Sequence, residues 1–351
     1  MELGEPKKTS IVRPIIYLGV VALVILFVFS NLSFLSGLIN LSNFSQFNQP
    51  GLTTQYTTVG NSSIGISEPS NYQTLVAYAL GMINQNRTNF GVPNVTLSPI
   101  SSGQEHADSM LQSNYFSHWD TQGYKPYMRY SLMNGTGFVD ENVAFEVNTG
   151  AFLTQQGQED GISTLQYAMV YNDSACCQNG HERNILNATH DRVSIGIAYD
   201  ASHLYFVEDF ENYYVNLDPS NIFNASTATV TLSGNTLSSI NPDSVQIFYD
   251  PSPTALSPAT LNSQYQKPYD PGSFVGGVLP PCQILQGCSS FQGAVTVRAS
   301  TWSVNQNSID IVFSLAKFVS ADGSGVYTVY LTQGGGSGTI YYTSISIFIQ
   351  A

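Results

Sequence analysis

The spacing of apolar residues changes character along this chain, and the changes divide it. From Pro14 to Phe29 the apolar positions are continuous, with no polar face. Between residues 71 and 215 they recur at helical spacing. Leu75, Tyr78, Ala79, Met82 and Ile83 predict one helix, ending near Asn89-Phe90-Gly91. Ile100, Gly103, Ala107, Met110 and Leu111 predict a second, and Ile162, Leu165, Ala168 and Met169 a third. A short fourth helix opens at "GHERNILN". "VSIGIAYD" and "HLYFVEDF" then read as strands joined by a turn at Asp200 to Ser202. Helices followed by paired strands indicate an α+β layer structure.

After residue 215 the period shortens. "TATVTLSG", "SVQIFYD", "AVTVRAS", "SIDIVFSL", "GVYTVYLT" and "YTSISIFIQ" alternate apolar with polar residues between Gly, Pro, Asn and Asp. That pattern predicts an antiparallel, Ig-like β-sandwich over 216–351, with no helical period. "PYDPGSFVGGVLPPCQILQGC" reads as a long ordered loop clamped by Cys282 and Cys288.

The continuous apolar run carries topological information. Lys7, Lys8 and Arg13 precede it, and the next charge is Glu68. About 20 apolar residues cross a bilayer as a helix. The basic flank then puts the N-terminus in the cytoplasm and the bulk outside the cell, as a single-pass membrane protein. Residues 1–35 are therefore expected to be a cytoplasmic tail and signal-anchor, and residues 36–70, rich in Asn, Ser, Gln and Thr, a polar linker. A cleaved signal peptide is the alternative, although no Ala-x-Ala-like site is present.

Composition agrees with export. The 351 residues are 10% charged with a net charge of −13, a field that repels a nucleic-acid backbone. Four Cys would be oxidised outside the cell. Cys282–Cys288 is the expected local bridge, which leaves Cys176 and Cys177 as a vicinal bridge or as free thiols. Sequons at Asn40, Asn43, Asn61, Asn86, Asn94, Asn134, Asn172, Asn187 and Asn224 make a glycoprotein an expectation.

Candidate chemistry lies in the middle region. Its segments run in order "INQNRTNFGVPNVTLS", "HADSMLQSNYFSHWDTQGYKPYMR", "DENVAFE", "GHERNIL" and "VSIGIAYD…YFVEDF". Their order and spacing resemble the CAP superfamily of cysteine-rich secretory, antigen 5 and pathogenesis-related proteins, in its cysteine-poor bacterial and archaeal branch of SCP-like domains. The resemblance covers about residues 72–213. It implies an α-β-α sandwich whose cleft holds two His and two acids. His118 maps to the first His, Glu141 to the acid of the "DENVA" segment, and His181 to the second His. Asp173 in "MVYND" is the candidate for the second acid, with Glu182 as a rival. Three departures are visible: Asp140 stands where Gly is usual, Glu182 where Arg is common, and "NDSACCQN" replaces a short approach to His181.

Two imidazoles with one or two carboxylates suit Zn²⁺ or another divalent cation. The carboxylates could instead orient the rings. His106 reads as a surface or packing residue, His190 and His203 fall in turns, and Trp119 and Trp302 read as core. No G-x-S-x-G elbow and no H-E-x-x-H helix is present. The expected function is a membrane-anchored extracellular binding module for a lipid, glycan or protein ligand. The alternative is a metal-assisted hydrolase, a peptidase or a cell-surface remodelling enzyme, using Glu141 and His118.

Overall fold

The computed structural model describes residues 70–282, 287–334 and 338–350. The expected anchor and linker lie outside the described residues. Within them no helix is long and apolar enough to cross a membrane. The fold is mixed α+β with three sheets.

The N-terminal part is built on a four-stranded sheet of order β1-β3-β4-β2. Its strands are β1 (Thr96–Leu97), β2 (Phe138–Val147), β3 (Arg192–Tyr199) and β4 (His203–Asn212). β3 and β2 flank β4 in antiparallel register, whereas β1 joins β3 in parallel. Residues of β4 alternate between two cores, so the sheet is covered on both faces. Leu204, Phe206 and Phe210 pack with Leu75, Ala79 and Ile83 of α1 (Tyr72–Asn89). Tyr205 and Val207 pack with Ala107 and Met110 of α2 (Ser102–Ser113) on the other side.

Four further helices complete the N-terminal part. α3 (Pro126–Leu132) leads into β2. α4 (Gln155–Tyr171) puts Ile162, Leu165 and Met169 against the α1 core. Its N-cap is Thr154, whose side chain accepts the Gly157 N–H. α5 (Ser174–Cys177) and α6 (Gly180–Ile185) complete the set, separated by Gln178 and Asn179, both left-handed. Arg87, fully buried at the end of α1, donates to the carbonyls of Pro93, Ile185, Asn187 and His190. It thereby fixes the end of α6, and burial lowers its pKa to about 10.

The C-terminal part has two sheets around one apolar core. One contains β5 (Val215–Leu217), β6 (Phe223–Asn224), β7 (Thr229–Thr236), β11 (Thr301–Val304) and β12 (Ile309–Ser314). The other contains β8 (Ser244–Asp250), β9 (Ser273–Leu279), β10 (Val295–Arg298), β13 (Gly325–Gln333), β14 (Ile340–Tyr341) and β15 (Ile345–Ile349). Val230, Leu232 and Ile311 from the first meet Val245, Ile247 and Val329 from the second.

Three details differ from the sequence expectation. β9 and β10 pair in parallel, so the sheets are not wholly antiparallel. Two short helices interrupt the strands, α7 (Pro258–Gln264) and α8 (Ala316–Asp322). Each is too short to show a period. "SFVGGVL" is not loop but strand β9. Its Gly pair hid it: a Cβ on Gly276 would lie 2.0 Å from the Val295 carbonyl oxygen, and Gly276 has φ +137°. Glycine there lets β10 approach closely at a position that reads as a breaker.

The segment joining β8 to β9 leaves the sandwich and runs over the N-terminal part as a strap, residues 251–272. Leu261 of α7 is fully buried in the α2 core, beside Tyr115 and Trp119. The Leu256 N–H donates to the Thr121 carbonyl at 2.8 Å. Lys125 bridges Asp250 at 2.7 Å and Asp270 at 2.8 Å, one acid at each end of the strap.

Candidate functional site

β2 is an edge strand, and its run from Phe138 to Phe145 lines a cleft of about 1140 Å³. Strand alternation puts Glu141 on the same face as Val143, against the α2 core. Glu141 is 2% exposed. Its Oε1 lies 2.9 Å from His118 Nδ1, and its Oε2 accepts from the Arg129 guanidinium at 2.5 Å. Arg129 comes from α3 and also donates to the His118 carbonyl at 2.7 Å. One cation therefore fixes both the acid and the backbone that carries the His.

Tyr269 of the strap closes this pair from outside. Its hydroxyl accepts the Glu141 N–H at 3.0 Å, and its ring stands edge-on to His118, with centroids 5.0 Å apart. A residue after position 215 thus contributes to the site.

Burial dominates the electrostatics. It lowers the His118 pKa to about 3, helped by the Arg129 charge. It raises Glu141 to about 7, against the pull of Arg129. His118 is therefore a neutral imidazole near pH 7, and its contact with Glu141 is a hydrogen bond rather than an ion pair. With Glu141 accepting from Nδ1–H, Nε2 is the bare nitrogen. Behind the pair, His106 is 1% exposed, so it is a packing residue and not a surface one. Its Nε2 donates to the Ser117 carbonyl at 2.8 Å.

The second His has its own acid. Asp173, just beyond α4, is 2% exposed. Its Oδ1 lies 2.6 Å from His181 Nδ1, and its Oδ2 accepts the backbone N–H groups of His181 and Glu182. The carboxylate thus meets orphan donors at the start of α6 and the imidazole together. Asn142 on β2 donates to the His181 carbonyl and accepts from Asn184, tying α6 to the edge strand. Glu182, the rival acid, offers only its backbone N–H to this group.

His118, Glu141, Asp173 and His181 all line the cleft. They form two His–carboxylate pairs rather than one four-ligand shell. The described group of metal-binding residue types whose ligand atoms lie within 4.8 Å of one another is Asp173, Cys176, Cys177 and His181. Both bridges are formed, Cys176–Cys177 and Cys282–Cys288, and the first lies in the cleft wall.

Several expectations outside the cleft resolve plainly. Trp119 is core, packed on Tyr265. Trp302 is partly buried against the sandwich core. His190 is no turn bystander: it is 1% exposed, stacks on Phe210 and bonds Asn212 at 2.7 Å. His203 pairs with Asp200 in its turn. Among the sequons, Asn86 is buried in α1 and accepts from Tyr171, which leaves no room for a glycan there.

Sequence reasoning gave no role to Arg129, to Tyr269 or to a row of buried acids. Glu211 is pushed by burial to about 7 and Glu208 to about 8. Asp209, in register with Glu141, is raised well above the usual range by burial and by the Glu141 charge. The available signal was "EDFEN" in a strand that both faces cover.

Comparison with known proteins gives solved structures only. No family model and no curated protein matches the chain. An extracellular SCP-domain protein from Bacillus anthracis str. Ames is 20% identical with a TM-score of 0.31, over 40% of this chain and 41% of that one. An outer surface protein from Borrelia burgdorferi is 12% identical with a TM-score of 0.31, over 40% of this chain and 93% of that one. The CAP domain of enterococcal PrgA is 13% identical with a TM-score of 0.28, over 38% and 58%. Two of these three are described as SCP or CAP domains. The chain spans less than half the length of the Bacillus protein.

Proposed function

We propose that the protein is an extracellular CAP-like binding module, anchored by residues 1–35, whose cleft takes a cell-surface or extracellular ligand. The observation that carries this reading is the pairing of each cleft imidazole with its own buried carboxylate, His118 with Glu141 and His181 with Asp173. Each Nδ1 is bonded to its acid, so each ring is held in one tautomer with Nε2 left for a ligand.

The Nε2 atoms of the two imidazoles are the donors a divalent cation would use. His118 and His181 would hold it, and Glu141 and Asp173 would orient the rings rather than ligate in a single shell. Bound there, the ion would supply a positive charge that recruits an anionic or carbonyl oxygen of the ligand. The hydrolase alternative needs a free base. Glu141 is committed to His118 and to Arg129 and is not that base; on the hydrolase reading the bare Nε2 of His118 would serve, with Glu141 orienting the ring.

Zn²⁺ titration of the full-length chain, in the absence of reductant, tests the cation. His118→Ala and His181→Ala should each weaken binding by about tenfold or more. Zn²⁺ binding that neither substitution changes would remove the cation from the reading.

A further inference from the structure

Cys176 and Cys177 belong to neither His–carboxylate pair, and their place in the fold suggests a use for them. Residues 173–181 fold back through the left-handed Gln178 and Asn179. This turn brings both Sγ atoms, an Asp173 oxygen and a His181 ring nitrogen within 4.8 Å of one another. Two thiolates, an imidazole and a carboxylate make a full four-coordinate donor set for Zn²⁺, and the thiolates favour Zn²⁺ over Mg²⁺ or Ca²⁺. In the disulfide the sulfurs are bonded to each other and are poor donors. Cys176 is exposed and Cys177 half-buried, so a small reductant can reach the bond.

The geometry points to a redox-gated metal site: reduced Cys176 and Cys177, with His181 and Asp173, hold a thiophilic divalent cation, and the disulfide is the closed state. Opening requires a dithiol reductant. It passes two electrons and two protons to the S–S bond, which breaks to two thiols, while the reductant closes to its own disulfide. Cation binding then displaces the two thiol protons to solvent as the sulfurs part, each to about 2.3 Å from the metal. The site shares His181 and Asp173 with the cleft but goes beyond the binding reading, since it needs neither His118 nor Glu141.

Co²⁺ is the probe, because thiolate ligation gives a sulfur-to-metal charge-transfer band that imidazole and carboxylate ligation do not. The experiment uses the full chain carrying Cys282→Ser and Cys288→Ser, so that Cys176 and Cys177 are its only thiols. After reduction the protein should bind equimolar Co²⁺ with this band and release it to Zn²⁺, and the oxidised protein should bind at least about tenfold more weakly. Adding Cys176→Ser and Cys177→Ser should abolish the band and His181→Ala should weaken binding, whereas His118→Ala should leave the band intact. A reduced protein without the band, a band that survives loss of both cysteines or disappears in His118→Ala, or equal affinity in both redox states would overturn the proposal. Should the double Ser variant fail to fold, alkylation of the reduced thiols decides: Zn²⁺ should slow it, and unchanged alkylation overturns the proposal.

Discussion

The Tyr269 hydroxyl accepts a hydrogen bond from the Glu141 backbone N–H at 3.0 Å, across 128 residues of chain. β2 is an edge strand, so this N–H has no ladder partner on that side, and Tyr269 supplies one from the strap. Tyr269→Phe keeps the ring against His118 and removes the acceptor. The expected cost is about 1–3 kcal/mol for a buried donor left bare. Urea unfolding should show the loss, and hydrogen exchange should speed at the Glu141 amide before the rest of β2.

Strap docking depends on Gly123. Its φ is +84°, and a Cβ there would sit 2.4 Å from the Thr254 carbonyl oxygen. Gly123→Ala should cost about 1–3 kcal/mol through overpacking, with backbone strain added. The Leu256 amide, bonded to Thr121, should lose exchange protection, while amides of β7 and β12 keep theirs.

Arg129 is the counter-charge of a buried acid. Arg129→Met removes it and leaves Glu141 at 2% exposure. Breaking such a pair from one side costs about 3–5 kcal/mol. The double variant Arg129→Met/Glu141→Gln should recover part of that loss, because no lone charge remains to be buried. Equal unfolding midpoints for the single and double variants would count against this account.

The pH dependence follows from the buried acids. Glu141 and Glu211 titrate at about 7 and Glu208 at about 8, all raised by burial. Raised carboxyl values mean that the native state holds protons which the unfolded chain has already released. Stability from these groups is full below their unfolded values, near 4, and is lost as pH rises through 7 to 8. Above about 6.5 the unfolded His residues are mostly neutral, so the lowered values of His106, His118 and His190 oppose the trend only weakly. Thermal midpoints should therefore fall from pH 6.5 to pH 8.5. Glu208→Gln should flatten the slope, and a midpoint that rises over this interval would refute the assignment.

What the sequence revealed tracks how local each feature is. The α1 stripe from Leu75 to Ile83 and the hairpin of β3 and β4 are set by neighbours a few residues apart, and the alternation shows them directly. Asp173 was legible only through the resemblance, which places an acid before the "GHERNIL" helix, and it does meet His181. Arg129 lay in plain view within "KPYMR", but nothing local says that a guanidinium will turn inward to a carboxylate on the next strand. Tyr269 was still less visible, because its role depends on how the strap packs. β9 was hidden because Gly276 and Gly277 trade strand propensity for close contact with β10.

The strap also has a consequence in time. The N-terminal part leaves a ribosome well before residues 251–272 do, and its α2 core is unfinished until Leu261 arrives. At about 5–20 residues per second the chain must wait several seconds with Tyr115, Trp119 and Met110 uncovered. During synthesis or export this interval exposes the nascent chain to aggregation and to capture by chaperones. A stop at residue 215 would make that exposure permanent.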